Sequence, residues 1–445
     1  MMESAVIPLM KRFCPNVFFS ALALTFAGAG LLSAADAPVP AAAQITLTEL
    51  VKQVGQQNPE LQFYEAEITA AKAGRKTAGR FANPELSSNV GQKSVHSGGL
   101  REEGVAWSVS VVQPFEWPGR LALRKAIANR DLKLATLGYA RFQLALAGRV
   151  RSLAYGLFAA QEKSAAAGEV AERFQALREV LVQRDPAGLT PLLETRVIEA
   201  TELNAQRKAS EALLAAQAAL LELNQLRGSA PEARLAIRQP RLGFSPMDNV
   251  EVLVARARTN NFELRARTVE LAQQGFRVDL AKNERYPTLC LGPTLSEERV
   301  GGDRERIIGI GFSLPLPLWN RNQGNIEAAA ARRLQAEVLF HVTEQELQRK
   351  VIGAALIYET KRREMARWRP DSVPHFREAA ELADRHYRLG AVPISTYVEL
   401  QKQYLEAVES LLDTQREALE AAGQLELLTG LPLPLVNTAA PEETK

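Results

Sequence analysis

The residues best suited to bind a soft metal or attack a substrate are four histidines and two cysteines, and their spacing serves neither purpose. His96, His341, His375 and His386 are scattered, and even His375 and His386 lie too far apart to form the i, i+4 pair that sets two imidazoles on one helix face. Cys14 and Cys290 are far apart, so neither a Cys-x-x-Cys redox pair nor a soft-metal cluster can be drawn. The chain has no G-x-x-x-x-G-K-[ST] phosphate loop and no G-x-S-x-G nucleophile elbow. The expectation is therefore a protein that is not an enzyme and holds no catalytic residue, metal site or cofactor. With 24% charged residues and a formal net charge of +3, it also lacks the basic footprint of a nucleic-acid binder.

What the sequence offers instead is architecture. Lys11 and Arg12, the apolar run Val17 to Leu32 and the small residues Ala35-Asp36-Ala37 predict a cleaved secretory signal over residues 1–37. Cys14 precedes the apolar run and no cysteine follows its end, so the reading is not that of a lipoprotein. Cleavage leaves Cys290 alone, which excludes an intrachain disulfide. No later stretch reaches the ~18 uninterrupted apolar residues of a transmembrane helix, so any membrane crossing has to be made by strands.

Past the signal, the chain repeats itself once. Asn58, Glu60 and Leu61 recur as Asn261, Glu263 and Leu264; Pro84 as Pro287; Pro114 as Pro315; Arg120 as Arg321; Gly188 and Pro191 as Gly390 and Pro393; Leu226 and Gly228 as Leu428 and Gly430. The interval is roughly 200 residues, too long for a solenoid repeat, and it divides the chain into halves at 38–240 and 241–435, with a disordered tail expected over 436–445. Each half reads helix, strand, strand, very long helix, sharp turn, helix. The predicted helices span 46–81, 120–184 and 190–227 in the first half, and 248–284, 323–388 and 394–430 in the second.

The span from Arg120 to Arg184 contains no proline, and at ~1.5 Å per residue its ~65 residues would extend ~97 Å. Leu123, Ile127, Leu134, Leu137 and Leu144 cluster on one side of it, and Leu132, Tyr139, Leu146, Val150, Leu153 and Leu157 on another. Two coiled-coil seams on one helix suit a stave in a cylinder wall, with a neighbour on either side. Pro370 and Pro374 interrupt the corresponding helix of the second half, where a kink is expected.

The short segments alternate with period two. Val105, Trp107, Val109 and Val111 share one face against Ala106, Ser108 and Ser110; Ile308, Ile310, Phe312 and Leu314 share one against Gly309, Gly311 and Ser313. Weaker strands precede them at about 84–94 and 287–297, joined through polar loops at 95–104 and 298–304. Apolar residues facing small polar ones on strands of about ten residues fit the wall of a membrane barrel, lipid outside and water inside. Four strands cannot close such a barrel, for which ~8 is the practical minimum, so several chains must share one.

Over about 46–435 the order of elements and the joining sequences resemble the TolC-type outer-membrane factor family. The resemblance is carried by Gln113-Pro114-Phe115-Glu116-Trp117-Pro118-Gly119-Arg120, by the matching stretch Leu314 to Asn325, and by the two helix turns. It implies a mainly α fold: a homotrimer whose protomers each give four strands to a shared 12-stranded outer-membrane barrel and long helices to a periplasmic tunnel. The implied partners are a periplasmic adaptor, or membrane fusion protein, and an inner-membrane pump. The form Pro317-Leu318-Trp319-Asn320-Arg321-Asn322-Gln323-Gly324-Asn325 is similar to the CzcC-like branch, which implies an RND-type pump and heavy-metal efflux. At that corner Pro315 and Pro317 end strand pairing, and Asn320 or Asn322 is expected to cap the next helix.

Gly188-Leu189-Thr190-Pro191 and Leu389-Gly390-Ala391-Val392-Pro393 resemble the family's helical hairpin tips, which implies that the adaptor docks there; Thr190 and Ser395 are expected to cap the returning helices. By the same resemblance Thr396 and Glu399 take the positions of the periplasmic gate, with Glu194 and Glu199 as alternatives. Multidrug efflux, type I protein secretion and a periplasmic coiled-coil scaffold without a pore stay open as rival functions.

Overall fold

Helix α3 runs unbroken from Arg120 to Arg184, 65 residues, as the absence of proline requires. The computed structural model describes residues 44–97, 100–184, 192–300, 302–369 and 371–438. The expected signal at 1–37 and the first tip, Gly188 to Pro191, lie outside the described residues. Around α3 pack α1 (Leu47–Gln57), α2 (Glu60–Ala78), α4 (Leu192–Arg227), α6 (Phe262–Asn283) and α9 (Ile394–Thr429). Both sets of apolar positions on α3 are used: Leu137, Leu146, Val150 and Leu157 are buried, and Leu123, Ile127, Leu132, Leu134, Tyr139 and Leu144 are half-buried.

Two expected helices are each split in two by an asparagine. Residues 46–81 break at Asn58-Pro59 into α1 and α2, and 248–284 break at Asn261 into α5 (Val250–Asn260) and α6. The Asn58 side-chain amide donates to Leu226 O at 2.9 Å and its Oδ1 accepts from Glu60 N at 2.9 Å. Asn261 does the same, donating to Leu428 O at 2.8 Å and accepting from Leu264 N at 2.9 Å. Each asparagine thus satisfies a last-turn carbonyl of one helix and a first-turn amide of another. The α4 and α9 ends they hold turn on Gly228 and Gly430, at φ of +65° and +68°. At Gly430 a Cβ would stand 2.3 Å from the Asn260 carbonyl oxygen, so only glycine fits.

The predicted helix 323–388 is likewise interrupted, more severely than a kink. α7 (Gln323–Arg367) stops at Trp368, which is extended, and α8 (Ser372–Arg388) restarts beyond Pro370, with Pro374 in its first turn where a missing N–H leaves no bond unmade. Pro370 itself lies outside the described residues.

Strands β2 (Glu85–Ser97), β3 (Leu100–Phe115), β6 (Leu289–Val300) and β7 (Asp303–Ser313) form one antiparallel sheet in the order β2-β3-β6-β7. The expected polar loops at 95–104 and 298–304 are mostly strand. The pairing continues through Val95↔Glu102 and Arg299↔Arg304. β1 (Gln44–Ile45) pairs in parallel with β4 (Ala236–Ile237), and β5 (Leu242–Phe244) pairs with β8 (Val436–Thr438). The beginning of the expected disordered tail is therefore a strand. Beside it Tyr358, fully buried, donates to Ser245 O at 2.7 Å and Leu435 O at 3.0 Å, pinning both connections to α7.

Candidate functional site: the two faces of the sheet and the helix tips

Strand register sorts the sheet into two chemically opposite faces. Val109 lies in one row with Ser88, Leu295 and Ile308, and Trp107 in the next with Val90, Glu297 and Arg306. On this face Val105, Trp107, Val109 and Val111 are joined by Leu86, Val90, Leu291, Ile310 and Phe312. Most of them are open to the surroundings, Ile308, Ile310 and Phe312 at 78%, 82% and 76%. Such exposure of large apolar side chains, in a row, marks a surface meant for a nonaqueous neighbour. Leu314, expected on the same face, falls just past the end of β7 and is exposed.

The other face carries Ser87, Asn89, Gly91, Ala106, Ser108, Ser110, Gly292, Thr294, Ser296, Gly309 and Gly311. Ser87 and Ser110 hydrogen-bond across β2 and β3 at 2.7 Å. Small side chains dominate this face, with Ile307 and Val112 as larger apolar exceptions. From Val105 to Phe115 the apolar positions of β3 extend ~34 Å along the strand, which at a tilt of ~40–45° gives ~25 Å in height, the thickness of an outer-membrane apolar band.

Charge enters the apolar face on β6 and β7 at the Trp107 and Val105 rows, toward the hairpin turns. On the apolar face Glu297, 1% exposed, is held by Arg299 at 2.9 Å, by Arg306 at 3.1 Å and by Arg304. On the small-residue face Lys93 pairs with Glu298, while Glu102, Asp303 and Glu305 add negative charge at the same end. Sequence reading missed this segregation; alternation of Glu298, Arg299, Arg304 and Glu305 was its available signal.

At the opposite end the strands bend into helices, and the two bends are held differently. Arg120 donates to Asn283 Oδ1 at 3.1 Å, Thr288 Oγ1 at 3.0 Å, Asn283 O at 3.1 Å and Tyr286 O at 2.7 Å, while Trp117 stacks on Tyr286 with ring centroids 4.6 Å apart. At the second bend Asn322, the residue before α7, has φ of +62° and makes no capping bond to that helix. Instead its side chain donates to Ala281 O at 2.8 Å, and its amide donates to Asn320 Oδ1 at 2.9 Å. Of the asparagines expected to cap α7, Asn322 ties the corner to α6 and Asn320 braces Asn322.

Of the tips, the second is described. Leu389 closes α8 and is 81% exposed; Gly390, at φ of +74°, donates to Tyr387 O at 2.9 Å while Ala391 donates to His386 O at 2.9 Å, so the helix reverses on glycine. Val392 is half-buried, and Pro393 precedes α9 in an extended conformation. Ser395, expected as a cap, sits inside the first turn of α9 and caps nothing. Thr396 and Glu399 are both exposed, and Glu399 accepts from Gln403 at 2.7 Å. Of the alternatives, Glu199 pairs with Arg196 at 2.7 Å and Glu194 faces the Tyr387 hydroxyl at 3.5 Å.

A network the sequence did not announce ties the two long hairpins together behind the tips. Arg173 on α3 reaches Glu169 at 2.5 Å, Glu381 on α8 at 3.4 Å and Gln401 on α9 at 3.3 Å; Arg377 adds Glu169 at 3.2 Å. Next to it Tyr397, buried, stacks on Tyr387 and meets the edge of Phe174. Burial pushes the Tyr397 phenol far above its usual range, so it stays neutral. The i, i+4 spacing of Glu169 with Arg173 and of Arg377 with Glu381 was the legible hint. His96, His341, His375 and His386 lie on β2, α7 and α8, and among the described residues no group of three or more His, Cys, Asp or Glu could hold a metal ion.

Long paired helices continuous with a sheet that is apolar on one face and small and polar on the other fit the architecture expected of an outer-membrane channel. Comparison with known proteins agrees: residues 253–431 match the outer membrane efflux protein family. It is similar to the cobalt-zinc-cadmium resistance protein CzcC of Cupriavidus metallidurans, with 22% identity over 88% of this chain and 92% of that protein. It is also similar to the nickel-cobalt-cadmium resistance protein NccC of Alcaligenes xylosoxydans xylosoxydans, with 27% identity over 70% of this chain and 69% of that one. Its fold matches that of the outer-membrane channel OprN at a TM-score of 0.71, with 18% identity, over 86% of this chain and 89% of the other. The protein is an outer-membrane efflux channel that extends into the periplasm, a transport component and not an enzyme.

Proposed function

We propose that three copies of this chain close a 12-stranded barrel and form the exit duct of a tripartite system that expels divalent heavy-metal cations. The observation that carries the reading is the two-faced sheet with open edges. β2 and β7 are the outer strands, 13 and 11 residues long, and unpaired edges of that length need a partner. The helices support the same assembly. α4 leaves Leu203, Leu214 and Leu221 exposed, and α7 leaves Leu334, Val338, Val342 and Leu356 exposed, stripes that neighbouring copies would cover. In this reading 38–240 and 241–435 are two structural repeats that follow a cleaved signal, Val105 to Val111 and Ile308 to Phe312 meet lipid, and Ser108, Ser110, Gly309 and Gly311 line water.

The Leu389 to Pro393 turn, with its counterpart at Gly188 to Pro191, would dock the periplasmic adaptor of an inner-membrane RND pump, and Thr396 and Glu399 would stand at the gate. Cation cargo is favoured by two resistance-protein relatives and by the lumen side of the hairpin end. There Glu102, Glu298, Asp303 and Glu305 face a single lysine, Lys93, so a positive ion meets an attractive field. The test is deletion and complementation in the native host, scored as the highest tolerated cobalt, zinc and cadmium concentration. Loss of metal tolerance with unchanged drug tolerance is expected. Unchanged metal tolerance with lost drug tolerance or lost protein secretion would overturn the cargo, and a monomer in the soluble periplasmic fraction would overturn the duct.

A further inference from the structure

The two strand-to-helix corners are built from similar residues, yet only one has its partner within the chain. Trp117 and Arg120, in the first, sit on the end of α6 and the start of β6: the indole on Tyr286, the guanidinium on Asn283, Tyr286 and Thr288. In the second, Trp319 and Arg321 are both exposed, Trp319 at 94%, and neither has a stacking or hydrogen-bonding partner in the described chain. The spacing is W-x-x-R in the first and W-x-R in the second, so the chemistry is retained with one residue fewer.

The duplication also says which surface is vacant. Pro287 of the occupied receptor corresponds to Pro84, so Tyr286 and Thr288 correspond to Asn83, in the connection after α2, and Glu85, the first residue of β2. That corner is open: Phe81, Asn83 and Glu85 are exposed, Phe81 at 71%. It adjoins edge strand β2, whereas Trp319 and Arg321 follow edge strand β7 at the other side of the same sheet. One copy's β7 edge meeting the next copy's β2 edge brings the vacant receptor to the unpartnered side chains. The chemistry is complementary, with an aromatic residue on each side and a carboxylate, Glu85, in place of Thr288.

We propose that Trp319 and Arg321 of one protomer clamp the Phe81-Asn83-Glu85 corner of its neighbour, Arg321 pairing with Glu85 and Trp319 packing on Phe81 and Asn83. The inference rests on the shared-barrel reading and adds the residues that lock neighbouring chains in register. Heterologous contacts of this kind repeat once per interface and close a ring. The clamp lies at the junction of sheet and helices, and an arginine–carboxylate pair can form the two parallel charge-assisted hydrogen bonds of a bidentate contact.

Charge reversal tests it on the full chain in detergent-extracted outer membranes, with trimer surviving a fixed heating step read by gel mobility and by crosslinking. Arg321→Glu and Glu85→Arg, each alone, should lower surviving trimer about tenfold, the effect of one disrupted interfacial charge pair. The double variant Glu85→Arg with Arg321→Glu should recover most of it, since the pair is restored with its signs exchanged. Trp319→Ala should weaken the trimer with no rescue from either. Wild-type stability in both single variants, or a double variant no better than the worse single, overturns the clamp. Failure of the underlying reading looks different, because the wild-type protein would then give no crosslinked trimer at all.

Discussion

Val109→Arg puts a charge on the apolar face of the sheet where the proposed barrel is deepest in lipid. Val109 lies four residues from Val105 and six from Phe115 along β3, ~14 Å and ~20 Å of strand, so after tilt it is ~10 Å or more from either edge of the band. Its row neighbours Leu295 and Ile308 offer no counter-charge, and Glu297 and Arg306 stand a full row away, ~7 Å along the strand. An arginine near the midplane of such a barrel costs ~2 to 4 kcal/mol per chain, and three chains sharing one barrel multiply this to ~6 to 12 kcal/mol per trimer. Ser108→Arg or Ser110→Arg, each one residue away and pointing to the small polar face, should cost a fraction of that. The assay is the temperature at which detergent-extracted trimer dissociates, together with its abundance in the outer membrane. Val109→Arg should depress both strongly and the serine variants weakly. Equal damage from the two classes, or greater damage from the serines, would show that the face assigned to lipid is the wrong one.

Gly390→Val forces a β-branched residue into φ of +74°, so metal tolerance should fall while trimer abundance stays normal; tolerance retained at normal abundance would remove the tip from the docking surface. Asn261→Ala takes a donor from Leu428 O and an acceptor from Leu264 N, and should destabilise the fold by ~2 to 4 kcal/mol in chemical unfolding, with Asn58→Ala behaving alike; a change below ~0.5 kcal/mol in both would rule out the anchoring role. Tyr358→Phe should cost ~1 to 3 kcal/mol by removing the hydroxyl's bonds to the Ser245 and Leu435 carbonyls, the second of which still accepts from the Ser245 amide, again measured by unfolding. On α7, hydrogen bonds from Arg362 and then Arg363 hold the Glu359 carboxyl at about 2, below its ordinary 4.5. The lowered value means that its stabilisation is present above 4.5 and is lost as pH falls toward 2, so Glu359→Gln should flatten the stability profile in that window and lower stability near neutrality, where the wild-type contribution is fully present.

Local physics made the long elements legible. α3 begins at Arg120 and ends at Arg184 as its proline-free, twice-seamed sequence predicts, because helix periodicity repeats every few residues and needs no distant partner. The alternation of Val105, Trp107, Val109 and Val111 with Ala106, Ser108 and Ser110 likewise determined the two faces of β3, since successive strand side chains must point to opposite sides. Tertiary structure alone decided where helices break and which strands meet. Asn58 and Asn261 read as ordinary helix interior until the carbonyls of Leu226 and Leu428, far along the chain, come to their side chains. The neighbour of β3 across the sheet is β6, beyond α3 and α4, and that pairing puts Glu297 beside Arg304 and Arg306 and Arg120 beside Asn283. Hydrogen bonds and ion pairs act over a few ångströms of space whatever the separation in sequence, so they become visible only once the chain has folded back on itself.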